Sequence, residues 1–232
     1  MTAVLVGRIV KWGVAAGAAY AFIRQCRKPS GWFGRRLARA MNVGHGRLTA
    51  WGLETVTVQP DSRVLDIGCG GGETIRTMAS IATAGHVDGI DYSPASVAVA
   101  QQRNADFIAA GRVAVQQASV SRLPFADASF DIVSAVETHY YWPDLVNDFR
   151  EILRVLKPGG RFVIVAEAFK GRRMDWVHRP LMQGVLRSNY LTLEEHRTAL
   201  ADAGFTEVNV EANATRTWMR AVSSRPRVPT SK

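Results

Sequence analysis

The residues with the clearest capacity for chemistry are the run VLDIGCGGG, Val64 to Gly72, and Asp91, which stands 21 positions after Gly70. Glycine has no Cβ, so at Gly68 and Gly70 the backbone can come close to a ligand. A carboxylate held opposite such a loop can accept both hydrogen bonds of a ribose 2′,3′-diol. As a dinucleotide fingerprint the run is defective, because the third glycine of G-x-G-x-x-G falls on Glu73. Glu73 also brings a carboxylate to the start of the next helix, where a pyrophosphate would otherwise sit. Loop and acid together point to a nucleoside ligand bearing positive charge rather than phosphate. Cys69 reads as a small packed residue, since no neighbour in sequence would hold it as a thiolate.

The pattern around these residues supplies elements to position them. Arg63–Ile67 is a short apolar strand, Glu73–Ala82 a helix, His86–Asp91 a strand, and Pro94–Ala110 a helix with proline in its first turn. Arg112–Gln117 and Phe130–Val136 follow as strands. Asp144–Leu156 is an amphipathic helix closed by Lys157-Pro158-Gly159-Gly160, and Arg161–Glu167 is a further strand. Thr192–Ala203 opens with a capping-box pattern, Thr192 with Glu195, and stops at Gly204. Phe205–Val210 and Thr215–Val222 complete the set. Repeated strand–helix units predict a doubly wound α/β sheet with helices on both faces. Glycine loop and acid then lie at the carboxyl ends of neighbouring strands, where ligands bind in such sheets.

A chain of 232 residues suits one domain with short extensions, and 47% hydrophobic residues against 21% charged exclude both a disordered chain and a polytopic membrane protein. Cys26 and Cys69 are the only cysteines, too few for a disulfide framework or a cysteine metal cluster. No metal set is read, and a reducing, cytoplasmic compartment fits. The net charge of +9 is carried by the ends: nine basic residues precede the first acid, Glu54, and five follow the last, Glu211. This is weak support for nucleic-acid binding, and no dedicated binding module is legible.

Residues 1–28 form an apolar and basic segment. Trp12–Ile23 is uncharged but too short to span a bilayer comfortably. Packing on the domain, a surface-lying or anchored membrane helix, and a cleaved or spanning segment stay open. Residues 29–60 read as a helical cap, 61–222 as the ligand-binding domain, and 223–232 as a disordered basic tail.

Four motifs in order make the sequence resemble the class I S-adenosylmethionine-dependent methyltransferases, in their small-molecule branch. VLDIGCGGG is similar to the first motif and GIDYSP, Gly89 to Pro94, to the second. LPFADASFDIV, Leu123 to Val133, resembles the approach to the fourth strand, and EILRVLKPGGRFVI, Glu151 to Ile164, the helix, turn and fifth strand. The resemblance implies a Rossmann-like sheet of seven strands, mostly parallel with an antiparallel last strand, and S-adenosylmethionine as cofactor. It implies that Asp66, Gly68 and Gly70 line the methionine and ribose side, that Asp91 holds the ribose hydroxyls, and that Tyr92 lies against the adenine. The acid that usually takes the adenine amino group is Ser119 here, with the Val120 N–H toward adenine N1. Glu137 is expected beside the methionine portion.

The acceptor side is read from Thr138-His139-Tyr140-Tyr141-Trp142-Pro143 after the fourth strand. His139 is expected as the base that removes an acceptor proton, because its ordinary pKa lies near 6.5. Tyr140 is expected beside it as a second catalytic residue, and Tyr140, Tyr141 and Trp142 are expected to wall an apolar pocket. His45 and His178 are further candidates. No Asn-Pro-Pro-Tyr or Asp-Pro-Pro-Tyr follows the strand, which argues against methylation of a nucleic-acid base. The expectation is methyl transfer to a small, apolar or lipid-like acceptor, with peripheral membrane contact through residues 1–28. A non-catalytic S-adenosylmethionine sensor and a nucleotide-dependent oxidoreductase are the alternatives.

Overall fold

The computed structural model of the chain describes residues 25–227. The apolar segment Trp12–Ile23 and the end of the basic tail lie outside them.

Seven strands form one sheet: β1 Arg63–Ile67, β2 His86–Asp91, β3 Val113–Gln117, β4 Phe130–Val136, β5 Leu156–Ala166, β6 Thr206–Ala212 and β7 Met219–Ser224. Their order is β3-β2-β1-β4-β5-β7-β6, with β1 parallel to both β2 and β4. β7 runs antiparallel to β5 and to β6. The strand order reverses at β1, so a crevice opens beyond the carboxyl ends of β1, β2 and β4. The expected Rossmann-like sheet with its antiparallel last strand is therefore the observed one.

Helices α1 Gly31–Gly44 and α2 Gly46–Leu53 precede the sheet; α3 Glu73–Ile81, α4 Pro94–Arg103, α5 Ala105–Ala109, α6 Leu145–Val155, α7 Asp175–Arg179 and α8 Leu193–Asp202 connect it. One core face packs Phe130, Phe149, Phe162 and Trp142; the other packs Leu48, Val64, Ile75, Met78 and Val165. Leu48 on α2 belongs to that second core, and a Cβ on Gly52 would fall 2.2 Å from Val165. Thus α2, expected in a separate cap, presses directly on β5.

The fifth strand takes in Leu156–Gly160, expected as helix end and turn, and three further boundaries differ from expectation for local reasons. The helix predicted over Pro94–Ala110 breaks at Asn104, whose buried side-chain amide donates to the Gly72 and Ala100 carbonyls at 3.0 and 2.9 Å. That break ties α4 to the glycine loop. The final strand begins at Met219 rather than Thr215, because Asn213 Oδ1 accepts from the Thr217 and Trp218 N–H groups and folds 213–218 into a turn. Ser223 and Ser224, expected in a disordered tail, pair with Phe162 and Arg161, and Arg225 donates to the Arg154 carbonyl at 3.0 Å. The capping box at Thr192 and Glu195 forms as predicted.

Candidate cofactor and acceptor site

Two adjoining cavities of about 620 and 250 Å³ open at the carboxyl ends of β1, β2 and β4. Both are lined by Arg27, Gly68, Asp91, Tyr92, Thr138 and Tyr141. Their size is in the range of pockets that enclose a cofactor-sized ligand.

Asp91 ends β2 and is only 7% exposed. Its Oδ1 accepts from the Ser93 N–H at 2.8 Å and its Oδ2 from the Gly70 N–H at 3.0 Å. Each oxygen keeps lone-pair capacity, so the carboxylate is aimed by the backbone and still able to accept from a diol. Burial pushes its pKa up, and those two N–H groups oppose the rise.

The two glycines serve different ends. Gly70, at φ +52°, has nothing within 4 Å of where a Cβ would stand, so its bare backbone faces open space. Gly68, at φ +68°, would drive a Cβ to 2.2 Å from Thr138 Oγ1. Its glycine is demanded by packing against the loop after β4 as well as by backbone conformation.

Asp66 and Glu137 stand on the wall of the larger cavity. Ser134 donates to Asp66 at 2.6 Å across the register of β1 and β4. Glu137 accepts from Tyr140 Oη at 2.8 Å and from the Glu167 N–H, and its own backbone sits at φ +56°. Burial raises both carboxyl groups to about 7. Glu73 also lines this cavity, but its carboxylate pairs with Arg103 on α4 at 2.8 Å. The electrostatic case against a pyrophosphate therefore rests on Asp66 and Glu137 more than on Glu73. Ser119 and Val120 line the smaller cavity together with Ile90 and Ala118, on the side where the resemblance expects adenine.

His139 and Tyr140, expected as catalytic groups, do not line either cavity. His139 is fully buried, with its Nε2 2.9 Å from His196 Nε2 on α8. His196 Nδ1 lies 2.7 Å from the Thr192 carbonyl and so carries the proton there; His196 Nε2 then accepts, and His139 Nε2 donates. Burial lowers both imidazoles, and both are neutral. The Tyr140 hydroxyl is committed to Glu137. The cause is local: His139–Tyr141 form one 3₁₀ turn, in which successive side chains point about 120° apart. Only Tyr141 of the three faces the cavities.

His45 does face the larger cavity, at the junction of α1 and α2. Burial lowers its pKa while Glu167 opposes the shift, so it is a neutral imidazole beside the site at physiological pH. His178 lies on α7 outside both linings.

The segment Gln25–Pro29, at the join of the N-terminal segment 1–28 and the helical cap, is part of the wall. Tyr92 Oη donates to the Arg27 carbonyl, and Ser93 Oγ donates to the Pro29 carbonyl at 2.5 Å. The Arg27 guanidinium lies 5.7 Å from the Tyr141 ring, and the Lys28 ammonium 5.1 Å from the Tyr92 ring. Cys26 also lines the wall, as does Thr138, which the sequence reading quoted in the acceptor loop without a role.

Comparison with known proteins agrees with this geometry. A methyltransferase domain family matches residues 65–164. The 27-O-demethylrifamycin SV methyltransferase of Amycolatopsis mediterranei is 34% identical over 154 residues, 64% of this chain and 56% of that protein. Methyltransferase GfsG of Streptomyces halstedii is 34% identical over 138 residues, covering 60% of this chain and 49% of its own. The chain spans about half the length of the curated relatives it matches. A SAM-dependent methyltransferase from Aquifex aeolicus superposes with TM-score 0.67 at 17% identity, over 82% of this chain and 98% of that one, a likeness of fold. Residues 65–164 are thus a methyltransferase domain, and the four motifs and strand order around them are those of the class I S-adenosylmethionine-dependent methyltransferases.

Proposed function

We propose that the protein transfers the sulfonium methyl group of S-adenosylmethionine to a small, apolar acceptor in the larger cavity. The observation that carries this reading is Asp91, buried at the junction of the two cavities with both oxygens aimed by backbone N–H groups. The residues present fit the cofactor. Asp91 would take the ribose hydroxyls, Ser119 and Val120 the adenine edge, and Tyr92 its face. Asp66 and Glu137 would stand near the methionine and sulfonium charges. The apolar character of the acceptor is drawn from Ala38, Ala50, Leu53, Val56, Val58 and Met78 in the wall.

When bound, the cofactor supplies an electrophilic methyl carbon on a positively charged sulfur. The protein must then align the acceptor and, for a hydroxyl or ammonium nucleophile, take its proton. His45 is assigned that role in place of His139, because it is the neutral imidazole on the cavity wall.

The test is calorimetric titration across pH. Asp66 and Glu137 are raised from ordinary carboxylate values to about 7, so they are protonated in the empty site below that pH. Their contribution to folding is complete below about pH 4 and is lost as pH rises through 7. Cation binding has the opposite sign, since it favours the ionised forms. Affinity for S-adenosylmethionine should therefore tighten about tenfold between pH 6 and 8, with proton release on binding, and Asp66→Asn should flatten the profile. NAD should not bind. A folded protein with no affinity for S-adenosylmethionine at any pH would overturn the proposal.

A further inference from the structure

We propose that residues 170–187, between β5 and α8, form a docking surface for an anionic lipid bilayer beside the cavity mouth. The segment presents Met174, Trp176, Val177 and Val185 to solvent, with Trp176 76% exposed. Single exposed apolar residues are ordinary on a protein surface, but four within twelve positions concentrate apolar surface on one segment. The same segment carries Lys170, Arg172, Arg173, Arg179 and Arg187 against one acid, Asp175. Asp175 is compensated within the fold: it pairs with Arg179 at 2.9 Å and accepts from the Tyr190 hydroxyl. Arg173 and Arg187 are exposed. Apolar tips that include a tryptophan, set among arginines, match the acyl–headgroup boundary of an anionic membrane.

A second segment repeats the chemistry. Trp32 and Phe33, at the start of α1, are 65% and 47% exposed, with Arg35, Arg36 and Arg39 following and no acid before Glu54. Residues 170–187 line neither cavity, but both segments are tied to the larger one. Ala38 of α1 lines it, and Arg172 acts on the wall residue Glu137. Glu167 acts on both His45, which follows α1, and His178 on α7. Arginines alone would suit a nucleic acid, but such a partner has no use for exposed Met174, Val177 and Val185. A bilayer uses both kinds of residue, and it would bring a membrane-dissolved acceptor to the mouth.

The experiment is co-sedimentation of the full chain with phosphatidylcholine vesicles, with and without phosphatidylglycerol. The protein should pellet with the anionic vesicles and be released by salt. Trp176→Ser should weaken partition about tenfold. Arg173→Ala should weaken it about fivefold, the loss of one surface charge near anionic lipid. Neither residue lines a cavity, so S-adenosylmethionine affinity should be unchanged in both variants; this separates the docking surface from the cofactor reading. Absence of pelleting overturns the proposal, as does equal pelleting with neutral vesicles. Wild-type partition in both variants would move the contact elsewhere, residues 1–24 included, and also overturn it. A wild-type dimer that Trp176→Ser makes monomeric would assign the patch to a second copy of the chain, against the bilayer.

Discussion

Asp91→Ala is expected to weaken S-adenosylmethionine binding about a hundredfold, from two lost hydrogen bonds to a charged acceptor at about 1.5 kcal/mol or more each. The expectation follows from how the carboxylate is held. Gly70 and Ser93 each donate one backbone N–H to it, which fixes both oxygens toward the junction of the cavities. Alanine leaves those donors without their acceptor, so a loss of about 1–3 kcal/mol in folding stability should accompany the loss of affinity. The two effects are separable. Chemical denaturation without ligand reports the loop, and calorimetry on the folded variant reports the ribose contact. A destabilised variant with wild-type affinity would make Asp91 a brace for the glycine loop and nothing more. Asparagine is no rescue, since its amide nitrogen would face the Gly70 or the Ser93 N–H, donor against donor.

Much of this site was legible because its parts are fixed by short-range rules. An apolar strand, a glycine turn and a helix define where Gly70 stands, and the next strand ends at Asp91; pairing of β1 with β2 brings the two together. Asp66, Ser119, Val120 and Glu137 lie at or just beyond strand ends for the same reason, and all of them line the cavities. What was not legible depends on rotation and on long-range contact. Near one 3₁₀ turn, sequence cannot say which of His139, Tyr140 and Tyr141 faces inward; the partner that captures His139 is His196, 57 residues on. The contacts of Arg27 and Pro29 with Tyr92 and Ser93 span more than 60 positions and show no periodicity. Asn104 is a further case. Its value to the fold lies in an amide that reaches back to Gly72, which a helical pattern across 94–110 conceals.

His45→Gln is expected to lower kcat by about 10²–10⁴ for a hydroxyl acceptor, while the affinity for S-adenosylmethionine stays within about twofold. Three other polar groups on the wall are less suited to take a proton. Glu137 already accepts on both oxygens, from Tyr140 and from the Glu167 N–H. Tyr141 is pushed well above its ordinary pKa by burial, so it stays a donor. The Cys26 thiol is raised in the same way and stays protonated. His45 moves in the useful direction, because burial lowers its pKa and frees a basic nitrogen below neutrality. The wild-type rate should therefore rise with pH along a limb whose midpoint lies below 6.5, and the variant should lack that limb. Glutamine preserves polarity and approximate size, so a purely structural role would show as a raised KM with kcat and the limb intact. That outcome would leave His45 as wall and return the search for a base to the acceptor itself, one whose nucleophile needs no proton removed.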